Sequence, residues 1–147
     1  MIRKYRTDDL EPVLDVWYRA NKLAHPFLDE ATLAKVRAMV RDIYLPNTET
    51  WVHLREGALV GFMGLITKDP NDVEVGAIFL DPSHIGKGYG RALMDHAVSL
   101  YGNLRLDVFK ENHIGRRFYA RYGFREVGEY RFDMTGDMVL KLTYQAG

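Results

Sequence analysis

Three alternating glycines, Gly86, Gly88 and Gly90, stand between an apolar run that ends in Ile78-Phe79-Leu80 and the helix-forming stretch Arg91-Ala92-Leu93-Met94. Glycines so placed let a strand turn sharply into a helix while the first N–H groups of that helix stay exposed, an arrangement able to hold a diphosphate. The spacing narrows the choices. A dinucleotide fingerprint requires Gly-x-Gly-x-x-Gly, and a P-loop requires Ser or Thr after its lysine, whereas here Lys87 is followed by Gly88. Neither nucleotide motif is met, and a Gly-rich turn that binds nothing stays open at this point.

The flanking pattern says more. Val73 to Leu80 reads as a strand, Gly88 to Tyr101 as a helix with Leu93, Ala97 and Leu100 on its buried face, and Leu104, Leu106 and Val108 as a further strand. A strand–helix–strand crossover makes the two strands parallel neighbours, with the glycine loop at the carboxyl end of the first. Upstream, Ile2 to Tyr5 forms a short strand, and Asp8 with Glu11 has capping-box spacing. Leu10, Val13, Leu14 and Trp17 share a helical face; His25-Pro26-Phe27 interrupts it; Leu33, Val36, Met39, Val40 and Ile43 give a second helix ending before Pro46.

From Trp51 the period falls to two, giving a hairpin that turns at Glu56-Gly57 and continues through Leu59 to Thr67. Asn112 opens a helix carrying Ile114, Phe118 and Tyr122, Gly123 ends it, and Phe124 to Phe132 and Met138 to Thr143 complete the chain as strands. The order is strand, two helices, three strands, helix, strand, helix, two strands. It predicts one α/β domain over residues 1–147, a mixed seven-stranded sheet flanked by four helices.

Composition removes several functions. Twenty basic and twenty acidic side chains cancel, and no basic stripe interleaved with aromatics appears, so neither nucleic acid nor an anionic membrane is an expected partner. With no cysteine there is no disulfide, thiolate nucleophile or Cys-based zinc site, and the five histidines lack His-Glu-x-x-His spacing, so no metal is expected. No stretch approaches the roughly 20 apolar residues of a membrane span, and the expected location is cytoplasmic.

Two blocks carry a family likeness. Ile85-Gly86-Lys87-Gly88-Tyr89-Gly90 is followed, one helix later, by Leu106-Asp107-Val108-Phe109-Lys110-Glu111-Asn112, then Phe118-Tyr119 and Gly123-Phe124. In this order they resemble the GCN5-related N-acetyltransferase (GNAT) family over nearly the whole length, and His25-Pro26-Phe27 is similar to a short bacterial subgroup that includes RimI-like and protein-lysine acetyltransferases. The family loop begins with Arg or Gln where this chain has Ile85. What the resemblance implies there is chiefly a backbone contact to the diphosphate, so Ile85 weakens CoA binding without abolishing it.

The same resemblance implies the roles of the remaining residues. Gly86, Lys87, Gly88, Tyr89, Gly90 and Arg91 form the diphosphate loop, Lys87 either supplying charge or being a solvated lysine. The backbone of Ile78, Phe79 and Leu80 polarises the thioester oxygen. Asn112 lies near the pantetheine arm, Tyr119 is the general acid for the departing sulfur, and Phe118 is its core partner. Glu74 is either the base, directly or through water, or a plain strand residue, with His53 and His84 as weaker alternatives. His25 and Phe27 line the acceptor pocket or pack the loop into the core, and Tyr130, Phe132 and Asp133 approach from the opposite wall.

The implied activity is transfer of an acetyl group from acetyl-CoA to a primary amine by direct attack in a ternary complex, since no cysteine exists to form an acyl-enzyme. A protein lysine or N-terminus is the first acceptor, a small-molecule amine or amino acid the second. A CoA-binding module without turnover is the rival outside catalysis. The resemblance admits a monomer or a homodimer.

Overall fold

Elements form where the hydrophobic period changes. The computed structural model describes residues 1–147 as β1 (Ile2–Lys4), α1 (Leu10–Ala24), α2 (Glu30–Met39), β2 (Glu49–Arg55), β3 (Ala58–Ile66), β4 (Val73–Leu80), α3 (Tyr89–Tyr101), β5 (Leu104–Phe109), α4 (His113–Tyr122), β6 (Arg125–Arg131) and β7 (Met138–Tyr144). The predicted α/β class and element order hold. The seven strands lie in the order β1-β2-β3-β4-β5-β7-β6.

All pairings are antiparallel except that of β4 with β5, which is parallel and limited to two register pairs, Val73 with Leu104 and Glu74 with Arg105. Past Glu74 the strands diverge, and the rest of β4 offers an open edge. The β3–β4 register also slips between Gly64 and Leu65, leaving Gly76 as the extra residue of a bulge. A bulge bends its strand and increases the local twist, which adds to the divergence.

The long apolar run of β3 follows from burial on both faces. Phe62 packs with Val13, Leu14 and Trp17 of α1 and Leu33 of α2. Met63 and Leu65 join Leu93, Met94 and Ala97 of α3 and Leu106 of β5. Each Val, Leu, Phe or Met among them contributes about 1.5–3 kcal/mol when fully buried, so these two layers seat the helices on the sheet.

Several local expectations are corrected. The Asp8–Glu11 capping box does not form. Thr7–Asp9 make a 3-10 turn instead, in which buried Asp9 accepts from the Arg6 backbone N–H at 2.8 Å and from the Arg3 guanidinium at 2.8 and 3.1 Å. The second helix stops at Met39, followed by one π-helical turn, Val40–Tyr44, and a 3-10 turn, Leu45–Asn47. Leu100 is exposed, because the buried face of α3 runs from Leu93 through Ala97 to Tyr101 at spacings of four. Tyr119, not Phe118, is the core ring of α4.

Candidate active site

The divergence of β4 and β5 opens a cleft of about 710 Å³. Val75 to Leu80 form one wall and Asp107, Val108 and Phe109 the other. The glycine loop, α3 and α4 close one end. The α1–α2 connection and the π-helical turn close the opposite end.

At the loop end, Gly86 and Gly88 have φ of 84° and 87°, and a Cβ on either would meet nothing within 4 Å. Backbone conformation rather than space therefore demands glycine at both. Gly88 caps α3, and its carbonyl accepts from the Ala92 N–H at 3.0 Å, so the amides ahead of Ala92 have no helical acceptor and suit an anion. Gly90 has a different setting: a Cβ there would lie a tight 3.3 Å from the Phe118 ring. Ile85 and Arg91 line the cleft, with the Arg91 guanidinium 5.5 Å from the centre of the Tyr122 ring.

Two side chains expected here do not reach the cleft. Lys87 is exposed and forms no ion pair, which is the solvated-lysine alternative. Tyr89 turns its ring between His53 and His84, at 5.0 and 6.0 Å, so only its backbone belongs to the loop. That stacking also takes His53 and His84 away from the cleft walls.

Three residues of the second block meet on the cleft. Asn112 caps α4, its Oδ1 accepting from the Gly115 N–H at 2.9 Å, while its Nδ2 makes no bond within the chain. Phe118 is a half-buried ring on the cleft surface. Tyr119 is only 9% exposed, its ring packed edge-on against Phe124 at 5.7 Å, and its hydroxyl has no partner within the chain. Burial pushes that phenol above its ordinary value, which keeps it protonated through neutral pH.

At the end opposite the glycine loop, His25 lines the cleft and stacks edge-on with Phe109 at 5.1 Å. Phe27 sits behind them, 5.7 Å from His25 and 5.4 Å from Phe109, and supports the wall without lining it. Tyr130 is likewise a support: its hydroxyl donates to Asp107 Oδ2 at 2.7 Å, and burial first, then that bond, pushes it up to about 12. Phe132 lines the cleft from the same side, whereas Asp133 is exposed and does not.

Glu74 is the main correction. Its carboxylate is bound by the Arg105 guanidinium, which Asp72 also holds at 2.8 Å, and it does not line the cleft. The ion pair sits at the last rung shared by β4 and β5, where it ties the strands together.

The residue missed by sequence reasoning is Tyr44, which lines the cleft from the π-helical turn and donates to the Gly64 carbonyl at 3.2 Å. Side chains on Gly64 or Gly76 would run into its ring. The available signal was that pair of glycines inside otherwise apolar strands, which marks a close approach.

The open β4 edge, a loop of exposed amides at a helix N-terminus and a long apolar trough fit a CoA thioester. No group of three or more His, Cys, Asp or Glu is placed to hold a metal ion. No helix is long and apolar enough to cross a membrane. A family model described as "Acetyltransferase (GNAT) family" matches residues 11–124.

The chain belongs to the GNAT family. Like other GNAT members it is an acetyl-CoA-dependent acetyltransferase. Among its relatives, the peptidyl-lysine N-acetyltransferase YjaB of Salmonella typhimurium is 33% identical over 92% of this chain and 90% of its own. The peptidyl-lysine N-acetyltransferase YiaC of Escherichia coli is 30% identical over 86% and 84%. The solution structure of apo YjaB from Escherichia coli superposes on this GNAT chain with a TM-score of 0.86 at 29% identity, covering 100% of one and 98% of the other.

Proposed function

We propose that this enzyme acetylates the side-chain amine of a lysine presented by a protein. The observation that carries the proposal is the make-up of the acceptor end: Val36, Met39, Val40, Ile43 and Phe132 line it, and Asp107 is the one carboxylate on the entire cleft lining. A lysine brings a four-carbon apolar stem and a single charge, which matches such a wall. A polyamine or an aminoglycoside brings several charges and would leave most of them unpaired in it. Two relatives named as peptidyl-lysine acetyltransferases support the same reading.

When bound, acetyl-CoA supplies the activated acetyl group. The chain's own residues then divide the work. The glycine-loop amides and Arg91 hold the diphosphate end, Ile78 to Leu80 offer N–H groups of the open β4 edge to the carbonyl oxygen, and Asn112 steadies the arm. Tyr119, kept protonated by burial, gives its proton to the departing sulfur and is restored by the proton that the acceptor nitrogen sheds, directly or through water, as it becomes an amide. Glu74 takes no direct part, because Arg105 occupies it.

The test is incubation with acetyl-CoA and, separately, a lysine-containing peptide, spermidine and free amino acids, following thiol release and product mass. Turnover on the peptide with an added acetyl mass on lysine is the expected result. Turnover confined to small amines would replace the acceptor, and acetyl-CoA binding with no turnover on any amine would favour a non-catalytic CoA-binding module.

A further inference from the structure

Asn21 and His25 stand one turn apart at the end of α1, and their hydrogen bonds fix which ring nitrogen of His25 carries the proton. Asn21 Nδ2 donates to the Trp17 carbonyl at 2.8 Å, a partner that can only accept. The Oδ1 of the same amide therefore faces His25 Nδ1, at 2.6 Å, and has to accept from it. In the neutral ring the proton is on Nδ1, and Nε2 carries a lone pair. Desolvation lowers His25 to about 4, so the ring is neutral at physiological pH.

That lone pair has an outlet. His25 is 7% exposed, and its Nε2 makes no bond within the chain. It is not among the sealed ring nitrogens without a partner, which are His53 Nδ1 and His96 Nε2. It therefore keeps some accessible surface, on a residue that lines the cleft. Phe27 and Phe109, both edge-on to the imidazole, restrict its rotation.

We propose that His25 Nε2 accepts a hydrogen bond from an N–H of the acceptor amine and so sets the direction from which the amine lone pair meets the thioester carbonyl. The inference rests on the acetyltransferase reading above. A neutral primary amine has two N–H donors and one lone pair; an acceptor that engages one N–H orients the nitrogen while leaving the lone pair free to attack. The opposite tautomer would present Nε2–H and compete for that lone pair. Asp107, the only carboxylate on the lining, accepts from the Tyr130 hydroxyl through Oδ2 and keeps Oδ1 as a charged acceptor suited to an ammonium, whereas Nε2 is a neutral ring acceptor with no partner in the chain. His25 is thus a positioning residue whose tautomer is set by Asn21.

Two substitutions separate this role from a structural one. Asn places its amide near Nδ1 and keeps the contact to Asn21, whereas Gln reaches the position of Nε2. With the amine varied, His25→Asn is expected to lower kcat/KM about tenfold or more, and His25→Gln clearly less, with acetyl-CoA affinity unchanged in both. The reverse order, following the thermal stability of the two variants, would assign His25 to structure alone and overturn the inference.

A second readout does not require turnover. Two-bond 1H–15N correlation spectra of the wild type should show His25 protonated on Nδ1, and titration with n-butylamine should move the Nε2 resonance. A ring protonated on Nε2, or an Nε2 resonance that stays fixed, overturns the inference even if turnover is seen. Failure of turnover on every amine, with the Nε2 shift present, counts against acetyl transfer only.

Discussion

The Tyr119 hydroxyl reaches the cleft with no partner in the chain, so Tyr119→Phe removes one oxygen without disturbing the ring packing against Phe124. In the proposed role of general acid it is worth roughly a hundredfold or more in kcat. Steady-state rates should show that loss while calorimetry shows unchanged acetyl-CoA affinity; equal rates would remove Tyr119 from the mechanism. Asp81 makes a different case. Its carboxylate accepts from Arg19 at 2.8 and 3.1 Å, and this pairing, aided by Ser83, holds it below the usual carboxylate range. A folded-state value depressed below the unfolded one, about 3.9, stabilises above that pH and is lost as pH falls toward the folded value. With Arg19 partly exposed, the stabilisation is at most about 1 kcal/mol. The melting-temperature gap between wild type and Asp81→Asn should be full near pH 7, begin to narrow near pH 4 and go on narrowing as pH falls toward the folded-state value; a gap that does not narrow would locate the effect elsewhere. Tyr119 and Asn112 were legible in the sequence because each sits in a short local motif. Glu74 was not, because Arg105, which decides what its carboxylate does, lies 31 positions away along the chain.

At the level of elements, strand limits read from period and turn residues agree with the structure to within a residue or two, since Glu56-Gly57 and Gly123 end elements through backbone conformation alone. The segment after α2 was not legible. Its apolar stripe continues at helical spacing through Ile43, yet the chain widens into a π-helical turn in which Tyr44 lies against Gly64 and Gly76, a contact between segments far apart in sequence. Gly76→Ala would drive a methyl into the Tyr44 hydroxyl and should cost about 1–3 kcal/mol, as overpacking does. Combined with Tyr44→Ala the loss should be partly recovered, and a double-mutant cycle by urea unfolding measures the coupling; strict additivity would deny the contact. Gly88→Ala meets no neighbour but must adopt a left-handed backbone, so about 1–2 kcal/mol of strain is expected in the loop. Weaker acetyl-CoA binding should accompany it, again by calorimetry.

Across the whole molecule, two half-sheets, β1-β2-β3-β4 and β5-β7-β6, share only two rungs, one of them reinforced by the Glu74–Arg105 ion pair. A ligand seated between them contacts both halves and binds only the folded chain. At a concentration 100 times Kd it adds about 2.7 kcal/mol to stability. For a chain of this size that corresponds to a rise of roughly 5 to 10 °C in melting temperature, which a thermal scan with and without acetyl-CoA measures directly. An unchanged midpoint at saturating concentration would mean that acetyl-CoA does not bind the folded chain in preference to the unfolded one. The incomplete ladder between β4 and β5 has a further consequence for the protein's abundance. Where proteases remove the unfolded fraction, a chain whose gap is filled is expected to outlast an empty one, so the supply of CoA or its thioester bears on how much enzyme persists as well as on how fast it turns over.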